Sequence, residues 1–217
     1  MSARNRMLNR LRRHLRATQH PEPWQSRRHF DDLSTRFTEA LTAAGGEVIR
    51  VATYDEARTR LLALLDEIHA NRVALNDEPL LRRLALPEHA QRPIEWHIVG
   101  DDQNALRTFC AHADVGITAA ECALAETGTV VVQSGRGKSR LVSLLPPVHI
   151  AVLTSDQLTT DLFTWAEHHR PTHMPANLVF ISGPSKTADI EQTLAIGVHG
   201  PKRFIALLIE TARGATP

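Results

Sequence analysis

Apolar positions along this chain fall into two alternating patterns, one with the spacing of helices and one with the density of buried strands. In the first half, the predicted helices cover residues 30–44, 55–70, 79–86 and 103–112. The predicted strands of the same half cover residues 47–51, 72–75 and 94–99. Because strands that alternate with helices pair in parallel through crossover connections, this pattern predicts an α/β fold with a largely parallel sheet.

The pattern changes between residues 114 and 153, where three strand-like segments follow one another closely. They cover residues 115–118, 128–133 and 148–153. Because the connections are too short for crossover helices, some of these strands are expected to be antiparallel members of hairpins. Alternation then resumes, with predicted helices at residues 156–169 and 187–196 and predicted strands at residues 178–181 and 204–209. We therefore expect one three-layer α/β domain over residues 23–217.

Arginine dominates the first 30 residues, which hold eight arginines and a single acidic residue, Glu22. The rest of the chain holds 17 basic and 23 acidic side chains, so that a basic arm precedes a body of net charge −6. Four apolar side chains recur at helical spacing opposite the arginines: Met7, Leu8, Leu11 and Leu15. Residues 1–22 are therefore predicted to form a basic helical arm, exposed or docked on a partner, in preference to a transit peptide.

Composition narrows the function classes. The chain is 42% hydrophobic and 23% charged, as expected of a folded protein, and it lacks the run of about 18 apolar residues that a membrane span requires. Only ten of 217 residues are aromatic, which disfavours stacking on single-stranded nucleic acid. Two cysteines, Cys110 and Cys122, cannot supply a disulfide framework or a cysteine-bound iron–sulfur cluster alone. A reducing compartment, the cytoplasm, is the expected location.

Residues 137–139 (GKS) have the ending of a phosphate-binding P-loop. The full pattern also requires glycine at position 132, where this chain has Val132. Pro146 and Pro147 leave little room for the helix whose N-terminus would hold the phosphate. We therefore predict a mobile hairpin tip at this point. Its basic side chains can still contact an anion; they are Arg136, Lys138 and Arg140.

Residues 182–189 (SGPSKTAD) follow a predicted buried strand and precede a predicted helix. Small residues let the backbone approach a ligand, and hydroxyls with free amides at a helix start suit an anion. Ligands of open α/β sheets bind beyond the carboxyl ends of the strands, where this segment is expected to lie. The alternative is an ordinary N-cap by Ser185 or Thr187, with Asp189 and Glu191 favouring the helix dipole.

Glu126 precedes a small turn at residues 127–129, at the start of a predicted strand. A carboxylate with small neighbours can act as a general base or nucleophile; the alternative is a rim carboxylate that accepts hydrogen bonds from backbone amides. His149 and His199 occupy positions typical of structural histidines, from which they can also bind a carboxylate ligand or hold Glu126. We expect residues 126–129 and 182–187 to line one pocket at one rim of the sheet.

Five motifs occur in order in the second half: residues 114–118 (DVGIT), 125–129 (AETGT), 143–150 (SLLPPVHI), 182–191 (SGPSKTADIE) and 197–201 (GVHGP). This set resembles the lactate-utilisation protein C family, the LUD-domain proteins, over residues 110–210. The first helix, rich in arginine and leucine, also resembles the usual start of family members. Glu121, Cys122 and Lys186 depart from the residues common in the family.

The resemblance implies a fold similar to the phosphosugar-isomerase and CoA-transferase superfamily. It also implies a role in the oxidation of L-lactate to pyruvate beside two iron–sulfur partner proteins, with the clusters on the partners and no cofactor or metal in this chain. The glutamate nucleophile of CoA transferases makes Glu126 the catalytic candidate, by fold analogy. The candidate ligand-binding residues are Thr127, Gly128, Thr129, Arg140, His149, Ser182, Gly183, Ser185, Thr187, Asp189, His199 and Gly200.

Three hypotheses for the function follow. The first is the cluster-free subunit of a lactate-oxidising complex. The second is a stand-alone enzyme acting on an acyl-CoA, phosphosugar or folate-type anionic substrate. The third, a nucleic-acid-binding regulator, depends on the arginine-rich arm alone and is disfavoured by the acidic body.

Overall fold

The computed structural model describes residues 3–14, 24–168, 175–188 and 194–210. The described helices are α1 (Ala3–His14), α2 (Leu33–Ala43), α3 (Tyr54–Glu67), α4 (Pro79–Leu84), α5 (Leu86–His89), α6 (Gln103–His112), α7 (Arg140–Leu144) and α8 (Leu162–His168). The described strands are β1 (Glu47–Val51), β2 (Arg72–Leu75), β3 (Glu95–Ile98), β4 (Val115–Ala119), β5 (Cys122–Leu124), β6 (Thr129–Gln133), β7 (Val148–Thr154), β8 (Leu158–Thr159), β9 (Leu178–Ile181), β10 (Lys186–Ala188), β11 (Leu194–Ile196) and β12 (Arg203–Ile209).

Six strands form a parallel sheet in the order β1-β12-β7-β4-β2-β3. Every neighbouring pair in this sheet runs parallel. The two longest strands, β7 and β12, are buried over nearly all of their seven residues, because both of their faces are covered. The largely parallel sheet that the sequence predicts is confirmed.

Two layers cover this parallel sheet, one on each face. On one face, Leu61 and Leu65 of α3 and Leu81 of α4 pack in a core with Ile117 and Ile150. On the opposite face, α2 and a smaller sheet form a second core with β7 and β12, while α6 and α7 cover the β2 side. The molecule therefore has the three-layer architecture that the sequence predicts.

The smaller sheet has the order β8-β5-β6-β9. Strand β6 runs antiparallel to both β5 and β9, which confirms the antiparallel hairpin expected in this region. The other two strand-like segments of the region, β4 and β7, are instead parallel neighbours in the large sheet. The sequence analysis missed β5, which has only three residues and therefore carries too few positions for a periodic pattern.

The helix predicted over residues 187–196 is wrong. Strands β10 and β11 pair antiparallel there, while residues 189–193 lie outside the described residues. The amide of Gly197 donates to the carbonyl oxygen of Ser185 at 2.8 Å, and the amide of Ser185 donates to Pro201 at 2.9 Å. These bonds bring the two ends of the segment together, whereas a ten-residue helix would separate its ends by about 15 Å.

Two other predicted segments are divided differently. The helix predicted over residues 156–169 becomes a 3₁₀ turn (Ser155–Gln157), strand β8 and helix α8, because the Gln157 side chain folds back and accepts the Thr154 amide at 2.8 Å. The expectation that no helix follows residues 137–139 is also wrong. Ser139 caps the five-residue helix α7, which ends before Pro146 and Pro147.

Helix α1 is exposed at each of residues 3–13, in agreement with the predicted exposed arm; residues 15–23 lie outside the described residues. Its apolar side chains Met7 and Leu11 are 67% and 60% exposed. In the described part of the chain, no helix combines the length and the apolar character needed to cross a membrane.

Candidate functional site

Residues 182–185 and 199–201 enclose a small pocket at the amino edge of the parallel sheet, where β12 begins. The cavity has a volume of about 190 Å³. We call it the amino-edge pocket, and its lining residues are Ser143, Leu144, Val179, Phe180, Ile181, Ser182, Gly183, Ser185, His199, Gly200, Pro201 and Phe204. The expected position beyond the carboxyl ends of the parallel strands is therefore wrong. The reason is that the preceding strand, β9, belongs to the smaller sheet, where it runs antiparallel to β6.

A chain of hydroxyl groups joins the two segments that the sequence analysis expects to meet. The Thr127 hydroxyl lies 2.6 Å from that of Thr129, which lies 2.7 Å from the Ser182 hydroxyl. The two segments are thus in contact, and Ser182 also lines the amino-edge pocket. Thr127 and Thr129 stand behind the pocket wall and do not line the cavity.

Glu126 is held by arginines from the segment before α2 and from α2 itself. Its Oε1 lies 3.0 Å from Nη2 of Arg28, and its carbonyl oxygen accepts a hydrogen bond from Arg36 at 2.9 Å. Its side chain is 27% exposed and lines neither of the two cavities described in this section. The next glycine, Gly128, has φ +63°, and a Cβ there would overlap the backbone of Leu41, so its role is close packing against α2.

His149 is completely buried in β7. Its Nε2 lies 2.9 Å from the hydroxyl of Thr118 in β4, and its ring packs 5.3 Å from that of Phe204. Burial lowers the pKa of His149 to about 3, so the ring is neutral near pH 7. His149 thus forms its hydrogen bond with Thr118 and does not hold Glu126, which pairs with Arg28. His199, in contrast, lines the amino-edge pocket.

The remaining predicted ligand-binding residues are dispersed. Arg140 is exposed at the first position of α7 and lines neither cavity. Gly183 has φ +119°, a conformation that favours glycine. Thr187 lies in β10, so neither it nor Ser185 caps a helix, and Asp189 lies outside the described residues.

A larger cleft lies at the opposite edge, beyond the carboxyl ends of β2 and β3. It has a volume of about 860 Å³, and we call it the carboxyl-edge cleft. Its lining residues are Asp77, Ile98, Val99, Gly100, Asp101, Leu106, Gly135, Arg136, Gly137, Lys138 and Ser139. The chain leaves β2 towards β3 but leaves β4 towards β7, on the other side. The border between β2 and β4 is therefore the switch point at which open α/β sheets bind ligands.

A buried carboxylate occupies this switch point. Glu78 follows β2, and its Oε2 accepts hydrogen bonds from the amide of Ala119 at 2.7 Å and from Asn76 at 3.3 Å. Its Oε1 lies 3.5 Å from Nζ of Lys138, which also lies 3.9 Å from Glu121. Burial raises the pKa of Glu78, against the opposing effects of the Ala119 amide and Lys138. Glu78, Lys138 and Glu121 thus form an ionic cluster behind the cleft.

The turn that carries Lys138 is fixed to the end of β2. Gly135 and Lys138 bond to each other through both of their amides, at 3.0 and 3.1 Å. The Asp77 amide donates to Gly137 at 2.8 Å, and the Ser139 amide donates to the Asn76 side chain at 3.0 Å. The basic turn is therefore closed by two internal hydrogen bonds and anchored to the segment after β2 by two more.

Sequence reasoning missed Asn76, Glu78 and Glu121 as site residues. The available signal was the polar run at residues 76–78, which directly follows a short apolar strand. Because the carboxyl end of a parallel strand is a favoured ligand position, this run predicts a site as strongly as residues 182–189 do.

The surroundings of the two cysteines disfavour thiolate chemistry. Both cysteines are buried, and burial raises the pKa of Cys110 to about 11 and that of Cys122 to about 12, so both are protonated near pH 7. No group of three or more histidine, cysteine or acidic side chains with metal-binding geometry occurs among the described residues.

Comparison with known proteins identifies the family. The chain is 38% identical to "Lactate utilization protein C" of Halalkalibacterium halodurans over 189 residues, which are 83% of this chain and 80% of that protein. It is 33% identical over 188 residues, with the same coverage, to the protein of that name from Shouchella clausii. A crystal structure of a DUF162 family protein from Deinococcus radiodurans matches 82% of this chain and 96% of its own, with a TM-score of 0.50 and 22% identity, and supports the fold. The LUD domain model matches residues 34–209, and the chain therefore belongs to the LUD-domain family.

Proposed function

We propose that this chain acts in lactate utilisation, as the cluster-free subunit of an assembly that oxidises L-lactate to pyruvate. The observation that carries the proposal is the 38% and 33% identity to two proteins named Lactate utilization protein C, over 83% of this chain. The assembly and its iron–sulfur proteins are part of the proposal, as is the relationship of the fold to phosphosugar isomerases and CoA transferases.

The cysteines support a division of labour within such an assembly. A cubane iron–sulfur cluster is usually held by four cysteine thiolates, whereas this chain has two cysteines, and both are buried with raised pKa values. We therefore place the clusters, and with them the electron transfer, on the partner proteins.

Within this proposal the amino-edge pocket binds the small carboxylate. Ser182, Ser185 and His199 line it with groups that can donate hydrogen bonds to a carboxylate, and its volume of about 190 Å³ suits a molecule the size of lactate or pyruvate. The hydroxyl chain from Thr127 through Thr129 fixes the Ser182 hydroxyl at the pocket wall.

Growth and pull-down experiments test the proposal. Deletion of the gene should abolish growth on L-lactate while leaving growth on glucose intact, and the full-length chain should restore it. Tagged chain purified from lactate-grown cells should bring down proteins that contain iron and absorb visible light as iron–sulfur clusters do. Normal growth of the deletion strain on L-lactate would contradict the proposed role.

A pair of variants tests the pocket. Ser185→Ala removes a pocket hydroxyl, so we expect slower growth on L-lactate at an unchanged protein level. Thr59→Ala is the matched control, because it removes an exposed hydroxyl on α3, far from the pocket along the chain. Equal growth of the two strains would exclude the Ser185 hydroxyl from the site.

A further inference from the structure

The carboxyl-edge cleft is too large for lactate alone. Its volume of about 860 Å³ lies within the range of about 300–1,000 Å³ that is typical of sites for cofactor-sized molecules. It also lies beyond the carboxyl ends of the parallel strands β2 and β3, next to the strand-order switch between β2 and β4, and open α/β folds bind ligands beyond such strand ends. Its place therefore indicates a ligand site, and its size indicates a ligand larger than lactate.

Two cations on the anchored turn define one end of the cleft. Arg136 is exposed at the turn tip and lines the cleft, and Lys138 lines it two residues later. Lysine and arginine side chains on a turn of small residues are well suited to a phosphate group. Because the turn is held by hydrogen bonds to Asn76 and Asp77, little conformational freedom would be lost when an anion binds.

The ionic cluster behind the turn holds the Lys138 ammonium in place. Glu78 and Glu121 lie 3.5 and 3.9 Å from its Nζ, and because an ammonium group has three N–H donors, a third donor remains for a ligand. Glu78 is itself fixed by the Ala119 amide and is only 6% exposed. Glu78 is thus a positioning residue, and Lys138 is the group that touches the ligand.

The other walls of the cleft suit the organic part of a phosphate-bearing ligand. Ile98, Val99 and Leu106 provide apolar surface, and Asp101 can accept hydrogen bonds from sugar hydroxyls. The second acid of the wall, Asp77, is already paired: Arg82 binds it through two nitrogens, and its pKa is lowered as a result. The repulsion of an anion by Asp77 is thereby reduced.

Two glycines leave the backbone of the cleft open. A Cβ added at Gly100 or at Gly135 would meet no atom within 4 Å. At Gly100 the φ of +119° itself requires glycine, whereas the backbone of Gly135 lies outside that positive range and accepts other residues. A ligand can therefore approach the main chain at both points.

We propose that the carboxyl-edge cleft binds a sugar-bearing organic phosphate, a nucleotide or a sugar phosphate, with its phosphate on Arg136 and Lys138. This binding is independent of the lactate role, because it involves a different edge of the sheet. The proposal adds a second binding site, with named phosphate contacts, to the function of this protein.

Calorimetric titration of the full chain tests the proposal with ADP, glucose 6-phosphate, inorganic phosphate and pyruvate as probes. We expect ADP or glucose 6-phosphate to bind at least tenfold more tightly than inorganic phosphate or pyruvate; whichever binds distinguishes the two sources of phosphate. Arg136→Met and Lys138→Met should each weaken that binding by about tenfold or more, because each removes a charge-assisted contact. Arg107→Met, which removes an exposed charge on α6 outside the cleft lining, should leave the affinity unchanged.

Gly135→Leu separates a loss of binding from a loss of the fold, because it should block the cleft without unfolding the protein. A Cβ at this exposed position would meet no atom within 4 Å, so we expect the thermal midpoint to stay near the wild-type value while binding of the organic phosphate is lost. The proposal is overturned if neither organic phosphate binds at millimolar concentration, if pyruvate binds as tightly, or if the Arg136, Lys138 and Gly135 variants bind like wild type. None of these results depends on growth on lactate.

Discussion

The imidazole of His149 and the hydroxyl of Thr118 form a hydrogen bond of 2.9 Å across the neighbouring strands β7 and β4, in the interior of the protein. In the order of strands, β7 and β4 lie between β12, where the amino-edge pocket is found, and β2, where the carboxyl-edge cleft is found. The hydrogen bond connects these two central strands. It also places an ionisable ring where its charged form cannot be hydrated. The fold should therefore respond to acid through this residue.

We expect His149 to make the protein less stable below pH 6.5. Burial lowers its pKa from 6.5 to about 3, so between these values the unfolded state binds a proton that the folded state does not. The free energy of unfolding has its full value, as far as His149 is concerned, above pH 6.5. It decreases by about 1.4 kcal/mol per pH unit as the pH falls from 6.5 towards 3. Chemical denaturation across this range should show a shallower pH dependence for His149→Gln than for wild type. The exposed residue His112 supplies the control, because His112→Gln should retain the full dependence.

Glu78 should produce a pH dependence of the opposite sign. Because burial raises its pKa above 4.5, the folded state binds the proton more readily than the unfolded state, and the contribution of Glu78 to stability falls as the pH rises through the folded pKa. Glu78→Gln should therefore be more stable relative to wild type at pH 7 than at pH 4, as measured by denaturant unfolding at both pH values. A difference that is constant with pH would contradict the assigned cause.

A methyl group at Gly116 should destabilise the fold strongly. A Cβ there would overlap the carbonyl oxygen of Val142 in α7, which is backbone and cannot move aside alone. We expect Gly116→Ala to lower the free energy of unfolding by about 1–3 kcal/mol or more, the usual result of overpacking. Gly135→Ala is the matched change at an open position and should be nearly neutral. Equal midpoints for the two variants would show that α7 adjusts freely.

The ion pair between Arg28 and Glu126 is partly exposed and should contribute no more than about 1 kcal/mol. Glu126→Gln and Arg28→Gln should therefore leave the thermal midpoint nearly unchanged, which makes the catalytic role predicted for Glu126 testable. If Glu126 is a base or nucleophile, Glu126→Gln should lower lactate-dependent turnover by about 10²-fold or more, and Arg28→Gln should have a smaller effect. Full activity of Glu126→Gln would exclude the catalytic role.

Removal of residues 1–20 should leave the thermal midpoint nearly unchanged. Helix α1 is exposed over residues 3–13, so the described part of the deleted segment buries no apolar side chain, whereas Trp24, which packs against Phe163, is retained. Thermal unfolding of the truncated chain beside the full chain measures this directly. A large drop in the midpoint would place the arm in the fold and contradict the predicted boundary at residue 23.

The parallel sheet was predictable because burial on both faces leaves a strong local signal. Strands such as β12 are almost continuous apolar runs, and α6 was predicted with its observed bounds, Gln103–His112. Segments whose secondary structure depends on contacts between residues far apart in the chain were harder to predict from the sequence. The pairing of β10 with β11 depends on Ser185, Gly197 and Pro201 coming together, and no periodicity at residues 187–196 reports that contact.

The candidate site was only partly predictable for the same reason. Ser182 and His199 were found because small and glycine-flanked residues stand out along the chain, and they do line one pocket. Glu78 follows β2 of the large sheet and Lys138 lies in the turn after β6 of the smaller sheet, so their contact joins two turns that are far apart along the chain. Spacing along the chain carries no information on such a pair.

Strand β1 has β12 as its neighbour along all five of its residues, and β12 is also the strand that connects it to β7. During synthesis on a ribosome, β1 emerges before residues 52–202 have been made, and its partner β12 follows only after them. The backbone groups of β1 must therefore wait for this long intervening segment, a situation that slows folding and exposes strand edges to other molecules. A nascent chain that stops before Arg203 would leave both β1 and β7 with open edges, so chaperone binding to stalled chains should persist until β12 has been released.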